Sequence, residues 1–112
     1  MPEAIRRSGP ARHEMPAVDE AALVAARDAD RLLAAAVEMD AERWEAYLRP
    51  LPDRLRDGDL RDVRSAAMRA RAAYGPKDSI RDTLPETLTE PFLESVDRLL
   101  KVLNRRELRG ER

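Results

Sequence analysis

The chain has no cysteine, one histidine and four glycines among its 112 residues. Without cysteine it can form neither disulfides nor zinc–thiolate sites. Histidine and cysteine supply many of the general bases, nucleophiles and metal ligands of enzymes, and clustered glycines form many phosphate-binding loops. These shortages favour a binding protein over an enzyme, and we expect no catalytic residue, no metal site and no cofactor.

An excess of charge of one sign is also lacking. Charged residues make up 38% of the chain, yet the formal net charge is −1. Such interspersed charges are typical of exposed helical surfaces and create no long-range field that would attract nucleic acid or anionic lipid. No apolar run approaches the ~20 residues that span a bilayer, and no secretory signal is apparent. We therefore expect a cytoplasmic protein, and the abundant alanine and arginine suggest a bacterial source.

Residues 1–17 offer little from which to build a core. They contain three prolines, the Ser8-Gly9-Pro10 breaker and few large apolar side chains. Their burial would not offset the entropy lost on ordering. We predict a disordered tail over 1–17, with His13 inside it, and a single helical domain over 18–112.

Two long helices are expected to supply most of the core. The first should run from its N-cap Asp19 to about Met39. Its apolar side consists of Ala22, Ala25, Ala26, Ala29, Leu32, Leu33, Ala36 and Val37. The last should run from about Thr89 to Leu108, with Pro91 in its first turn and leucines on its buried side. Its exposed side is expected to carry two ion pairs, Glu94–Arg98 and Asp97–Lys101.

A second helix is expected from Ala41, capped by Asp40, to about Leu48. Pro50 and Pro52 interrupt its apolar face, so we predict a broken helix with a short continuation that ends before Gly58. No segment alternates like a strand. The fold class is therefore all-α, a small bundle of about four helices.

A third helix is expected from Leu60, capped by Asp59, to Tyr74. Gly75 would supply the left-handed residue that ends this helix, and Pro76 would block its extension. A short turn capped by Asp78 or Ser79 should then lead to the last helix.

The segment 74–82 is the strongest candidate for a ligand site. A helix N-terminus there would offer free N–H groups and the positive end of its dipole to an anion. A phenol, an amine, a hydroxyl and a guanidinium lie close by, on Tyr74, Lys77, Ser79 and Arg81. The competing interpretation is structural, with a capped turn and with Ile80 and Leu84 buried.

Trp44 and Tyr47 are candidates for a protein interface, because exposed aromatic residues anchor many such contacts. Trp44 is also in phase with Leu48, Leu51 and Leu55, which favours the core for its side chain. Tyr47 lies at the edge of that face and is the better surface candidate.

Aspartates cluster at two places in the chain. Asp57, Asp59 and Asp62 surround Gly58, and Asp78 lies one helical turn before Asp82. The spacing is not that of a calcium-binding loop. Helix capping and solvation explain these residues, so we expect no metal there.

A DNA-binding helix is an alternative reading of the third helix. Its outer side is rich in arginine, at Arg61, Arg64, Arg69 and Arg71, as a recognition helix would be. Acidic residues occupy its N-terminus, however, where phosphates or bases would approach. We therefore do not expect nucleic acid as the partner.

Several short motifs follow one another between Trp44 and Asp82. They are Trp44-x-x-x-Leu48 in a helix, the Gly58-Asp59 turn, and Tyr74-Gly75 followed by Ser79-Ile80-Arg81-Asp82. This order resembles a family of small bacterial proteins built on an all-helical domain of unknown function, over roughly residues 30–90. The family is glycine-rich where this chain has Pro76-Lys77-Asp78. The resemblance implies a helical fold and draws attention to 74–82, and it implies no activity.

Amphipathic helices without reactive side chains predict a non-enzymatic protein-interaction module or a self-associating helical protein. The partner would be another protein or a second copy of the chain, because a small core leaves apolar surface for a dimer to bury. One alternative is an anion or small-ligand binder that uses the 74–82 segment. Another is a DNA-binding regulator.

Overall fold

The computed structural model describes residues 11–110, with side chains described over 11–105. Its α-helices are α1 Pro16–Glu38, α2 Glu42–Leu48, α3 Leu51–Asp57, α4 Leu60–Ala72 and α5 Glu86–Gly110, and single 3-10 turns lie at Arg12–Glu14 and Ile80–Asp82. No strand occurs in the part that is described. The predicted all-α bundle of about four helices is confirmed, since α2 and α3 are the two halves of the broken helix. Over 11–110, no helix combines the length and the apolar character needed to cross a membrane.

The helices form an up-down-up-down bundle. α1 packs most extensively against α5, then against α3 and α2, while α4 packs against α5 and α3. On α4 and α5, Arg71 lies 3.1 Å from Asp97, and Arg64 donates a 3.4 Å hydrogen bond to Asn104. These two contacts show that α4 and α5 run antiparallel.

The core is one cluster to which all five α-helices contribute, and its most extensive packing is that of α1 against α5. Ala22, Ala25 and Ala29 are fully buried on α1. Phe92 and Leu99 of α5 are also fully buried. Each such large apolar side chain contributes roughly 1.5–3 kcal/mol.

Val37 is an exception to the predicted buried stripe of α1, because 48% of its surface is exposed. At 100° per residue it lies about 80° round the helix from the middle of that stripe. The predicted buried side of α1 was therefore too wide at this edge.

The start of the domain is earlier than predicted. Residues 1–10 of the predicted tail lie outside the described part, but residues 11–17 are structured, and His13 sits exposed in the first 3-10 turn. Met15 is buried and Pro16 opens α1, three residues before the expected cap. Proline suits this place because its φ is preset and the first helical N–H has no partner within the helix.

Asp40 ends α1 instead of capping α2. Its φ is 56°, its N–H donates to the Val37 carbonyl, and the N–H of Ala41 donates to the Ala36 carbonyl at 2.9 Å. This is a Schellman motif with aspartate in the left-handed position that glycine usually takes. The N-cap of α2 is Ala41, which makes no side-chain capping bond.

The cap predicted for α4 is confirmed, since the Asp59 carboxylate accepts a 2.9 Å hydrogen bond from the N–H of Asp62. The helix ends at Ala72, two residues early, and Gly75 does not take the left-handed conformation expected of it. Asp78 takes it instead, with φ 53°.

The helix α5 begins at Glu86, so Pro91 lies inside it and not in its first turn. Within a helix, proline lacks the N–H that would bond the carbonyl four residues earlier, here that of Thr87. That carbonyl belongs to the exposed first turn of α5, where water can replace the missing donor.

Candidate functional site

The segment that joins α4 to α5 closes one end of the bundle. The N–H of Ile80 donates a 2.9 Å hydrogen bond to the Ala73 carbonyl, across the turn that contains Asp78. The Ser79 hydroxyl oxygen accepts from the N–H of Arg81 at 3.1 Å, which confirms Ser79 as the cap of the 3-10 turn. Ile80 and Leu84 are buried, as the structural interpretation of this segment requires.

Tyr74 is buried against α5, with 7% of its surface exposed. Its hydroxyl donates a 2.5 Å hydrogen bond to the carbonyl oxygen of Thr89. Burial, and to a lesser degree the negative charge of Glu90, raise the pKa of the Tyr74 phenol. Tyr74 therefore remains a neutral donor that joins the end of α4 to the beginning of α5.

Arg81 is bound to Glu90 of α5. Its Nε and Nη2 atoms each donate a 2.8 Å hydrogen bond to one oxygen of that carboxylate, a bidentate pairing. The guanidinium also lies 5.4 Å from the centre of the Tyr74 ring. The hydrogen bond from Arg81, with a further one from the Thr89 hydroxyl, holds the pKa of Glu90 below its usual value.

The structure thus brings two of the four predicted ligand residues together, Tyr74 and Arg81, and gives both an internal partner. Ser79 is used by the backbone as a cap. Lys77 is exposed, and no contact joins it to another described side chain. In this arrangement only the Lys77 amine is left to meet an anion.

The two interface candidates pack within the bundle. Trp44 is 4% exposed and belongs to the core, so it is not available as a surface anchor. Tyr47 is half-buried and contacts the Trp44 ring edge-on at 5.4 Å. Its hydroxyl donates to the Arg69 carbonyl at 2.7 Å, while Arg69 donates back to the Tyr47 carbonyl and covers the ring. Both aromatics therefore join α2 to its neighbours.

Three of the four arginines that suggested a recognition helix on α4 contact neighbouring helices. Arg69 is bound to Tyr47 of α2, and Arg71 and Arg64 are bound to α5. Arg61 is the exposed member without a described partner. A row of arginines held in this way does not present the free side chains that reading a DNA groove requires.

An open groove with a volume of about 960 Å³ lies between α1 and α5. Its small or apolar wall residues include Ala17, Val24 and Val102. Charged side chains from both helices rim it, and we call these the α1–α5 surface: Glu20, Arg27 and Arg31 of α1, and Glu94, Asp97, Arg98, Lys101 and Arg105 of α5.

The charges of the α1–α5 surface are largely unpaired. No ion pair crosses the groove among the side chains of 11–105, although Arg31 lies 3.9 Å from Asp28 on its own helix. The predicted pairs Glu94–Arg98 and Asp97–Lys101 are both absent among the described ion pairs, and Asp97 binds Arg71 of α4. Sequence reasoning placed these residues on the exposed side of α5 but took their charges as already neutralised.

No three histidine, aspartate or glutamate side chains within 11–105 are grouped closely enough to hold a metal ion. Comparisons with protein-family models, curated proteins and solved structures find no match to this chain. The resemblance to the small bacterial helical family therefore stays a prediction.

Proposed function

We propose that the protein is a non-enzymatic interaction module that binds a protein partner through the α1–α5 surface. The unpaired charges of Glu94, Arg98, Lys101 and Arg105 around one open groove carry this proposal. Opposite charges that face each other across an interface fix its register and its specificity. Apolar groups such as Val24 and Val102 in the groove would add contact area that a partner can cover.

The two alternatives have less support from the geometry. An anion binder would need free cations at the 74–82 segment, but Arg81 is already bound to Glu90. A DNA-binding regulator would need free arginines on α4, and most of them are bound to α2 or α5. Binding of a protein is the function that leaves these internal contacts in place.

The cytoplasm of a bacterial cell is the location we propose for this activity. Its support is compositional, since a chain without cysteine fits a reducing compartment and is rich in alanine and arginine.

A photo-crosslinking residue tests the proposal in living cells. Ala17 is the best position, because it is exposed at the groove and its replacement removes no charge. The matched control is Ala46, an exposed alanine of α2 that does not line the groove. We expect one crosslinked protein product from position 17, its loss when Lys101→Glu is added, and no product from position 46. Equal background from both positions would overturn the proposal.

A further inference from the structure

The outer face of α5, opposite the core, carries six charged residues in an ordered pattern. At 100° per residue they fall within an arc of about 100°. In chain order they are Glu90, Glu94, Asp97, Arg98, Lys101 and Arg105, three acids followed by three bases. Their spacing is the same when read from either end, and the sign of each charge inverts about the point between Asp97 and Arg98.

We propose that the partner of the α1–α5 surface is a second copy of the chain, with the two α5 helices antiparallel; this rests on the proposed function. A twofold axis between Asp97 and Arg98 would place Lys101 of the second copy opposite Glu94. The same axis places Arg98 of the second copy opposite Asp97, and Arg105 of the second copy opposite Glu90. Each of the six charged residues then faces a residue of opposite charge on the second copy. Each contact occurs twice, as an isologous interface requires.

The helix dipole does not account for this order. It favours acids in the first turn and bases in the last turn of a helix, and its effect fades beyond them. Glu94, Asp97, Arg98 and Lys101 all lie well inside α5, which runs from Glu86 to Gly110. The order of acids followed by bases therefore belongs to the outer face of α5 and is not an effect of the helix ends.

The three basic residues of this charged face also repel one another. Lys101 follows Arg98 by three residues and precedes Arg105 by four, so three cations share one side of the helix. Like charges at these spacings destabilise a helix. No described acid forms an ion pair with them within the monomer, and the acidic half of a second α5 would supply partners.

Two of the acids are already held in position for such pairing. Arg81 binds Glu90 and Arg71 binds Asp97, in pairs that remain about half exposed to solvent. A second copy would extend each pair into a three-residue network without first ordering the acid, which lowers the entropic cost of association. Because these ion pairs are exposed, the association should weaken as salt shortens the Debye length from about 10 Å at 0.1 M to about 3 Å at 1 M.

Charge reversal at one contact gives the decisive experiment on the full-length protein. Glu94→Lys alone and Lys101→Glu alone each place like charges opposite each other twice across the axis. We expect sedimentation equilibrium to show a dimer for the unaltered chain at low salt. We also expect a dissociation constant at least about tenfold higher for each single variant. An equimolar mixture of the two variants should associate again, because both contacts between positions 94 and 101 in the heterodimer then pair a lysine with a glutamate. Arg61→Glu on α4 is the control and should leave association unchanged, and circular dichroism checks that each variant is folded.

The outcomes separate this inference from the proposed function. A chain that stays monomeric at every concentration, or a mixture that fails to associate, overturns pairing through α5. If the chain is monomeric but position 17 crosslinks to another protein, the interaction module stands and the second copy is wrong. If position 17 yields no crosslink and the mixture does not associate, both proposals fail.

Discussion

The Tyr74 hydroxyl lies 2.5 Å from the carbonyl oxygen of Thr89, at the junction between α4 and α5. The contacts continue in a closed circuit, since the Thr89 side chain donates to Glu90, Glu90 binds Arg81, and Arg81 lies beside the Tyr74 ring. Tyr74 and Arg81, two of the four residues that suggested a ligand site, therefore hold the last two helices together. Five predictions about stability follow from this junction and from two others.

Replacing Tyr74 by phenylalanine removes the side-chain hydrogen bond to the carbonyl oxygen of Thr89, inside α5. We expect Tyr74→Phe to lower the free energy of unfolding by about 0.5–1.5 kcal/mol, measured by urea denaturation at neutral pH. Tyr47→Phe is the matched control, because its hydroxyl donates to a carbonyl on the exposed side of α4. A loss at Tyr74 no larger than that at Tyr47 would contradict the assignment.

The same tyrosine should affect stability at high pH. Its raised pKa means that the phenol stays protonated in the folded protein, while in the unfolded chain it ionises near the ordinary value of about 10. Above that pH the unfolded state binds fewer protons, so the free energy of unfolding falls as pH rises. Tyr74→Phe should show a smaller decline between about pH 9 and pH 11 than the unaltered chain. Parallel declines for the two proteins would show that Tyr74 does not titrate in this way.

Glu90 should affect stability at the acidic side. Because the Arg81 hydrogen bonds lower its pKa in the folded state, its stabilising effect is complete above the ordinary glutamate value of about 4.3. The effect disappears as pH falls through the lower folded-state pKa. We therefore expect Glu90→Gln to be less stable than the unaltered chain at pH 7, with a difference that shrinks as pH falls below about 4.3, by thermal denaturation. Glu38→Gln, at an exposed glutamate without an ion pair among the described residues, should show no such pH dependence.

Much of the fold could be predicted from local patterns. Spacing of apolar residues located the long helices, Pro50 and Pro52 located the break, and Asp59 was recognised as a cap. These features depend on neighbours a few residues away in the chain. The start of α1 lies inside the predicted tail, because Pro16 was counted among the prolines of a disordered segment, although proline also favours the first turn of a helix.

The candidate site could be predicted only in part, because partners far apart in the chain determine what its residues do. The sequence shows that Arg81 lies near Lys77 and Ser79. It does not show that Glu90, in the next helix, lies within hydrogen-bond distance of the Arg81 guanidinium. Asp97 likewise has Lys101 four residues away, yet Arg71 from another helix binds it. Whether a charged residue is free or paired was decided by helix packing, which periodicity does not give.

Arg12 anchors the segment that precedes α1. Its side chain is 11% exposed, and it donates to the Asp19 carboxylate at 2.7 Å and to the Gly58 carbonyl at 2.8 Å. Hydrogen bonds of charged groups contribute more than neutral ones, so Arg12→Ala should cost about 1.5–3 kcal/mol. Amide hydrogen exchange should also quicken at Met15, whose N–H is bonded within the first turn. His13→Ala, at an exposed neighbour, should change neither quantity; similar effects from both substitutions would show that the turn is not held by Arg12.

Gly58 has no room for a side chain at the junction of α3 and α4. A Cβ atom there would lie 2.4 Å from the Arg54 carbonyl oxygen and 2.7 Å from the Asp62 Cβ. Because backbone atoms cannot move aside without disturbing both helices, Gly58→Ala should lower the free energy of unfolding by about 1–3 kcal/mol. Gly75→Ala is the control, since its Cβ would meet only the Ala72 carbonyl oxygen at 3.4 Å, an ordinary contact distance. Urea denaturation of the two variants side by side should show a large loss at 58 and a small change at 75. Equal losses would mean that the close approach of α3 to α4 at Gly58 does not constrain the fold.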